Sequence, residues 1–298
     1  MKLTIGIVTM NRAQQLKEAL NSCLACILPA KTEFVIVDNA STDSTEAIAR
    51  EILEKSPYKY KYYKMKENIG AGAGRNVYFK KAEGKYIYGC DDDAIIDYKK
   101  NPDFFLRAIK IMDNNPKIAT LATQIYDRAW KANRQHISGP KITEGIYKCK
   151  MFCGGSHFLR KDFFSRPPYL HNKYGYEELP PSLMTMDQGR LNVFCPELLV
   201  IHNPKVNKWD YSNADNQKLL ITECAVPYAI KKMMYPIITR PVIYLLYKQR
   251  CRKYLKNDKM RNETKYMIQE TILNCNINYR MKIRTIIEMY HDFGICIF

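Results

Sequence analysis

The chain has 298 residues, 46% of them hydrophobic and 26% charged, with 13 glycines and 14 prolines. That composition excludes global disorder, collagen-like repeats and low complexity, and leaves one large domain or two small ones. Lysine and arginine total 47 against 30 acids, a net charge of +17 that points to a polyanionic partner: nucleic acid, an anionic membrane or a phosphorylated ligand.

Leu3 to Thr9 is an apolar, β-branched run and reads as a buried first strand. It is a poor secretion signal, because Thr4 interrupts it and no small-residue cleavage site follows. Ala13 to Leu24 places Leu16, Ala19, Leu20, Cys23 and Leu24 at helical spacing. Cys23 and Cys26 form a lone CxxC, which reads as buried thiols; all ten cysteines are expected to be reduced in a cytosolic protein. Phe34 to Val37 is a second buried strand. Asp43, with Glu46 three residues on, predicts the start of a helix that runs to about Glu54. Tyr58 to Tyr63 alternates tyrosine and lysine, as a half-buried edge strand does. The glycine-rich stretch from Asn68 opens a helix to about Ala82, and Tyr86 to Tyr88 is a strand ending at Cys90. This βαβαβ order predicts a mostly parallel sheet flanked by helices.

Pro102 suits the first turn of a helix to about Met112, and Ile118 to Gln124 reads as another strand. Residues 125–150 read as an excursion rich in charge and turns, with later strands at Tyr147 to Phe152 and Val193 to Ile201. From about Leu219 the pattern is helical, basic and aromatic, and the best boundary candidate is Trp209 to Asn216. No uncharged apolar run reaches the ~18 residues of a membrane span.

Ligands of open parallel sheets bind at the carboxyl ends of the strands. Those ends carry Thr9-Met10-Asn11-Arg12, then Asp38-Asn39-Ala40-Ser41-Thr42-Asp43, then Asp91-Asp92-Asp93. In an extended backbone Asp91 and Asp93 point to one side and Asp92 to the other. Two hard oxygen ligands on one side suit Mg2+ or Mn2+; the alternative is a solvated acidic turn, and the apolar strand before it favours the metal. Gly70, Gly72 and Gly74 with Arg75 describe either a helix N-terminus beside phosphate or a tight turn with close helix packing.

These four stretches, in this order and spacing, resemble the family-two glycosyltransferases of GT-A fold. Phe152-Cys153-Gly154-Gly155-Ser156 is similar to the family's glycine-rich acceptor-side loop, Tyr176-Glu177-Glu178-Leu179 to its paired-acid motif, and Pro196 followed by His202 to its strand ending in histidine. The resemblance covers roughly Met1 to Asn203. It implies an α/β, Rossmann-like catalytic domain over residues 1–210, with a nucleotide-binding half (1–93), an acceptor-side half (94–210) and a helical extension (211–298). It implies an inverting, metal-dependent enzyme that moves a sugar from a nucleoside-diphosphate sugar to an acceptor hydroxyl.

Residue by residue, the resemblance assigns the nucleotide to Asp38 and Asn39 with Thr9, Asn11, Arg12, Gly70, Arg75 and Asp92. Many relatives carry a second aspartate where this chain has Asn39. It assigns a divalent cation, Mn2+ or Mg2+, to Asp91 and Asp93, with His202 completing the set; His202 also fits a core-edge histidine packed on Pro204. An imidazole ligand tilts the choice toward Mn2+. Glu178 is the candidate base, with Glu177 the rival one register away. Pro180-Pro181 departs from the family's usual Asp-Leu, so the loop shape is expected to differ.

Two other classes compete. A sugar-phosphate nucleotidyltransferase needs a glycine-rich loop after the first strand, which is missing here. A non-catalytic binder of nucleic acid or anionic lipid fits the charge but not the clustered strand-end aspartates, and no nucleic-acid-binding motif appears. The tail from Lys231 to Arg261 holds ten lysines and arginines against one aspartate, interleaved with apolar and aromatic residues. It reads either as a helix lying on an anionic membrane or as a helical extension packed on the domain. The membrane reading makes the acceptor a lipid-linked glycan and places the enzyme peripherally on the inner face of the membrane.

Overall fold

Leu3–Thr9 forms β1, and every residue but one is buried, as a central strand covered on both faces requires. The computed structural model describes residues 2–134, 136, 138–171, 175–204, 217–275 and 277–298. The expected boundary at Trp209 to Asn216 lies outside the described residues.

The first half follows the expected alternation: α1 (Ala13–Leu24), β2 (Thr32–Asp38), α2 (Thr45–Glu54), β3 (Lys59–Lys64), α3 (Ala71–Lys81) and β4 (Tyr86–Asp91). Asp43 acts just outside α2, where its Oδ1 accepts from the Thr45 amide at 3.0 Å. The second half is β5 (Ala94–Ile96), α4 (Phe104–Asn114), β6 (Ile118–Asp127), β7 (Ala132–Asn133), β8 (Ser138–Thr143), β9 (Ile146–Cys149), β10 (Ser156–Arg160), α5 (Leu179–Asp187) and β11 (Leu191–His202). Four helices follow: α6 (Gln217–Met234), α7 (Arg240–Tyr254), α8 (Asp258–Cys275) and α9 (Ile283–Phe293).

One sheet runs in the order β3-β2-β1-β4-β10-β6-β11-β9-β8, with β5 on β11 and β7 on β6. The parallel part is β3-β2-β1-β4, rejoined by the parallel pair β6-β11. Between them β10 runs antiparallel to both β4 and β6, so the sheet is mixed. Its register sets Thr9 beside Asp38, and Val8 beside Asp91. The polar ends of three strands therefore meet at one edge.

Under the sheet, Tyr88, Phe104, Phe105 and Phe158 form a ring cluster with centroids 4.7–6.2 Å apart, which pins α4 beneath β4 and β10. The extension shares a core with the sheet domain: Leu170, Leu179 and Leu183 pack with Val226, Ile230, Met234, Ile243 and Ile286. The extension therefore packs on the domain, and Ile237, Ile238, Tyr244 and Leu245 remain exposed.

Candidate active site

β1, β2 and β4 stop at the same edge, and their terminal side chains bind one another there. The Thr9 hydroxyl donates to Asp92 Oδ2 at 2.8 Å, and Arg12 Nη1 reaches Asp92 Oδ1 at 2.9 Å and Asp93 Oδ2 at 2.5 Å. The expected alternation along an extended backbone does not hold, because β4 ends at Asp91 and residues 92 and 93 form a turn; Asp92 and Asp93 are both buried and share the Arg12 guanidinium. Burial pushes the Asp92 carboxyl up to about 7, opposed by the Arg12 charge and reinforced by Asp93.

Asp38 is fully buried at the end of β2; its Oδ1 accepts from the Ser41 amide at 2.7 Å and its Oδ2 from the Tyr62 hydroxyl at 2.7 Å. Asn11 Oδ1 accepts from the Thr42 amide at 2.7 Å, which ties the β1 loop to the β2 loop. Asn39 Nδ2 donates to the Gly70 carbonyl at 3.2 Å, while Asn39 Oδ1 is buried with no partner. Gly70 begins α3 at φ 86°, a conformation that favours glycine. Asn11 (φ 51°), Ala40 (φ 63°) and Tyr176 (φ 63°) hold the same left-handed region at non-glycine residues. Asn11 is itself a candidate site residue, Ala40 and Tyr176 adjoin candidates, and Lys131 (φ 53°), in the turn between β6 and β7, holds the same region.

One ligand atom each from Asp91, Asp93 and His202 lies within 4.8 Å of the others. His202 ends β11, which runs parallel to β6 and sets His202 beside Asp127. Asp127 Oδ2 lies 2.9 Å from His202 Nδ1 and holds the ring; Arg134 Nη2 in turn donates to Asp127 Oδ2 at 2.9 Å. Arg134 Nη2 lies 3.0 Å from the same Nδ1, so the ring is held by both groups; when Nδ1–H donates to Asp127, Nε2 keeps its lone pair. That nitrogen lies 3.3 Å from Asp93 Oδ1, a buried oxygen with no hydrogen-bonding partner. A proton on Nε2 or a cation between the two atoms satisfies this approach. Neighbouring ligands of one octahedral cation at ~2.1 Å are roughly 3 Å apart, so the donor set fits Mn2+ or Mg2+.

Beside this cluster, the buried Arg75 of α3 donates to Asp91 Oδ1 at 2.6 Å and to Glu177 Oε1. Glu178 Oε1 stays 3.9 Å from Arg75 Nη1. Burial first, then the Glu177 charge, raises the Glu178 carboxyl well above the ordinary glutamate range, against the opposing Arg75 charge. Gly154 makes room: a Cβ there would collide with Glu178 Oε1 and come within 2.8 Å of Arg75 Nη2. A cavity of about 1000 Å³ starts at Asp91 and Arg134, passes Gly154, Glu177 and Glu178, and is closed by α6 and α7.

The structure therefore brings Asp91, Asp93 and His202 together, sets Arg75, Glu177 and Glu178 next to Asp91, and gathers Thr9, Arg12 and Asp92 behind them. Asp38, Asn39, Asn11 and Gly70 form a neighbouring group at the ends of β1 and β2. Sequence reading missed Asp127 and Arg134. The signal for Asp127 was a carboxylate ending a strand, hidden because the strand was ended at Gln124.

Comparison with known proteins gives the following. Residues 4–166, more than half of the chain, match the family model described as glycosyl transferase family 2. An uncharacterized protein of Haemophilus influenzae is 30% identical over 176 residues, covering 55% of this chain and 90% of that protein. The mannosyltransferase PcManGT from Pyrobaculum calidifontis, in complex with GDP-Man and Mn2+, superposes with a TM-score of 0.60 at 16% identity, over 97% of this chain and 78% of that one. S. aureus TarS 1-349 in complex with UDP-GlcNAc superposes with a TM-score of 0.61 at 17% identity, over 92% and 82%. The chain matches mycobacterial relatives over 32% of their length. At these identities the two structures show a shared fold.

Proposed function

The chain belongs to glycosyl transferase family 2, and on that premise we propose that it moves a sugar from a UDP- or dTDP-sugar to an acceptor hydroxyl with inversion at the anomeric carbon. The observation that carries this reading is the convergence of Asp91, Asp93 and His202 next to the buried Arg75, Glu177 and Glu178 group. Two proteins of the same fold were solved with sugar nucleotides, one of them with Mn2+, which supports a nucleotide-sugar donor and a divalent cation here.

Asp91, Asp93 and His202 would hold that cation, which offsets the charge gathering on the departing nucleoside diphosphate. The imidazole in the donor set favours Mn2+ over Mg2+. The nucleotide base is assigned to the group of Asp38, Asn39, Thr9 and Asn11; Asp38 has both oxygens engaged by Ser41 and Tyr62 and Thr9 is given to Asp92, so Asn39 Oδ1, which has no partner, is the acceptor offered to a base N–H. Glu178 takes the acceptor's proton. Glu177 is less suited, because its Oε1 is committed to Arg75, whereas Glu178 is held at 3.9 Å from Arg75 with a raised proton affinity.

The acceptor is proposed to be a lipid-linked glycan met at the inner face of a membrane. Ile237 and Ile238, 60% and 77% exposed, project beside the basic α7 at the end of the protein that closes the cavity. Among the described residues no helix is long and apolar enough to cross a membrane, so contact would be peripheral.

A panel of UDP-, dTDP- and GDP-sugars with Mn2+, read as a shift in Tm, tests the donor. A donor at 100 times its Kd adds about 2.7 kcal/mol of stability, so the true one stands out as a clear rise. No rise with any of the three nucleotides would contradict the reading.

A further inference from the structure

The far wall of the cavity carries charge that sugar transfer does not use. Lys150, Lys231 and Arg250 line it together, and Lys150 and Lys231 are each only 8% exposed. Lys150 Nζ donates to the Cys296 carbonyl at 2.8 Å, and Lys231 Nζ to the main-chain oxygen of Phe298 at 2.6 Å. Among the described residues no carboxylate side chain pairs with either ammonium; Arg250 alone reaches one, Glu223, at 3.4 Å. Burial pulls Lys231 down to about 7, and the Lys150 and Arg250 charges deepen the effect. Three basic side chains on one cavity wall, two of them buried and only Arg250 near a carboxylate side chain, suit that wall to an anion.

The anion's class follows from the donors. Each ammonium has three N–H groups and spends one on a main-chain oxygen of the tail, and Arg250 adds a planar fork. Several converging donors with excess positive charge suit a phosphate, with its near-double charge and its acceptor oxygens, better than a single carboxylate. The neighbouring wall is apolar: Ile243, Leu246 and Tyr247, with Tyr247 stacked on Tyr228 at 4.1 Å.

We propose that Lys150, Lys231 and Arg250 form a phosphate-binding subsite for the acceptor, so that the acceptor is a phosphate-bearing molecule whose hydroxyl is presented to Glu178. This rests on the glycosyltransferase reading and adds the acceptor's chemical class to it. The phosphate comes either from a lipid carrier or from a soluble phosphosugar.

Titration calorimetry on the full chain in EDTA, which keeps the cation site out of the measurement, tests it, with inorganic phosphate, glucose 1-phosphate, farnesyl phosphate below its micelle concentration, and farnesol. The three phosphates should bind and farnesol should not. Lys231→Met and Arg250→Gln should each weaken phosphate at least tenfold, while Asp93→Asn, which alters the cation site, should not. Tighter binding of farnesyl phosphate than glucose 1-phosphate identifies a lipid carrier; the reverse order identifies a phosphosugar; both support the subsite. If Lys231→Met fails to fold, Arg250→Gln, on a more exposed side chain, decides alone. Equal affinity in wild type and the basic-wall variants, or loss of phosphate binding only in Asp93→Asn, overturns the subsite. Wild-type release of nucleoside diphosphate from a sugar nucleotide, scored separately, reports on the glycosyltransferase reading whatever the calorimetry shows.

Discussion

Glu178 sits immediately before α5 with Gly154 against its Oε1 and the Arg75 guanidinium 3.9 Å away. Its raised proton affinity means that the base form fills only above the ordinary glutamate pKa of about 4.3. Activity should therefore rise with pH through a limb displaced upward from that value. Glu178→Gln should remove the limb and lower turnover by about 10²–10⁴-fold while the donor still binds. If Glu177→Gln produces that loss and Glu178→Gln does not, the base is Glu177. Asp127 acts one bond further out. Replacing it with alanine frees the His202 ring and should weaken Mn2+ about 10–100-fold, measured by titrating activity with metal; unchanged Mn2+ affinity would show that His202 needs no such support. Asp91 and Asp93 stood out in sequence because the aspartate triplet follows an apolar strand, which favours a cation over a solvated turn. Lys150 and Lys231 did not, because nothing in sequence brings residues so far apart into one cavity.

At the scale of elements, the parallel strands announced themselves through continuous apolar runs, whereas β10 did not. Its sequence is Ser-His-Phe-Leu-Arg, and every one of the five residues is buried. His157 survives there because its Nε2 lies 2.6 Å from the Tyr169 hydroxyl, and Arg160 because it donates to the Ile118 carbonyl at 2.9 Å. Partners distant in sequence make such a strand invisible to patterning. Arg75 joins three elements, from α3 to Asp91 of β4 and to Glu177 before α5. Arg75→Met should cost about 3–5 kcal/mol, because it strands buried carboxylates, and should appear as a large fall in Tm. A Tm within a degree of wild type would mean that the acids find other partners. The exposed ridge at Ile237 and Ile238 makes a separate prediction. Sedimentation with anionic liposomes at low salt should fall about tenfold or more in the double serine variant. Removing everything from Lys231 is a poorer test, because Ile243 and Ile286 help to complete the core around Leu179 and Leu183. Equal sedimentation of the two proteins would leave the extension a packing role alone.

Across the whole molecule, the parallel half of the sheet brings together Thr9, Asp38 and Asp91, and the cavity beside Glu177 and Glu178 is walled by α6 and α7. The net charge of +17 follows this division in part, since the tail from Lys231 to Arg261 holds ten of the basic residues and a single acid. The central claim is that sugar transfer here depends on a cation held by Asp91, Asp93 and His202. It is tested most directly by release of nucleoside diphosphate from the donor that stabilises the protein, with Mn2+ or with EDTA, in wild type and in Asp91→Asn and Asp93→Asn. The account predicts release by wild type with Mn2+, none with EDTA, and none from either folded variant. Undiminished release in EDTA, or full activity in either variant, would contradict it.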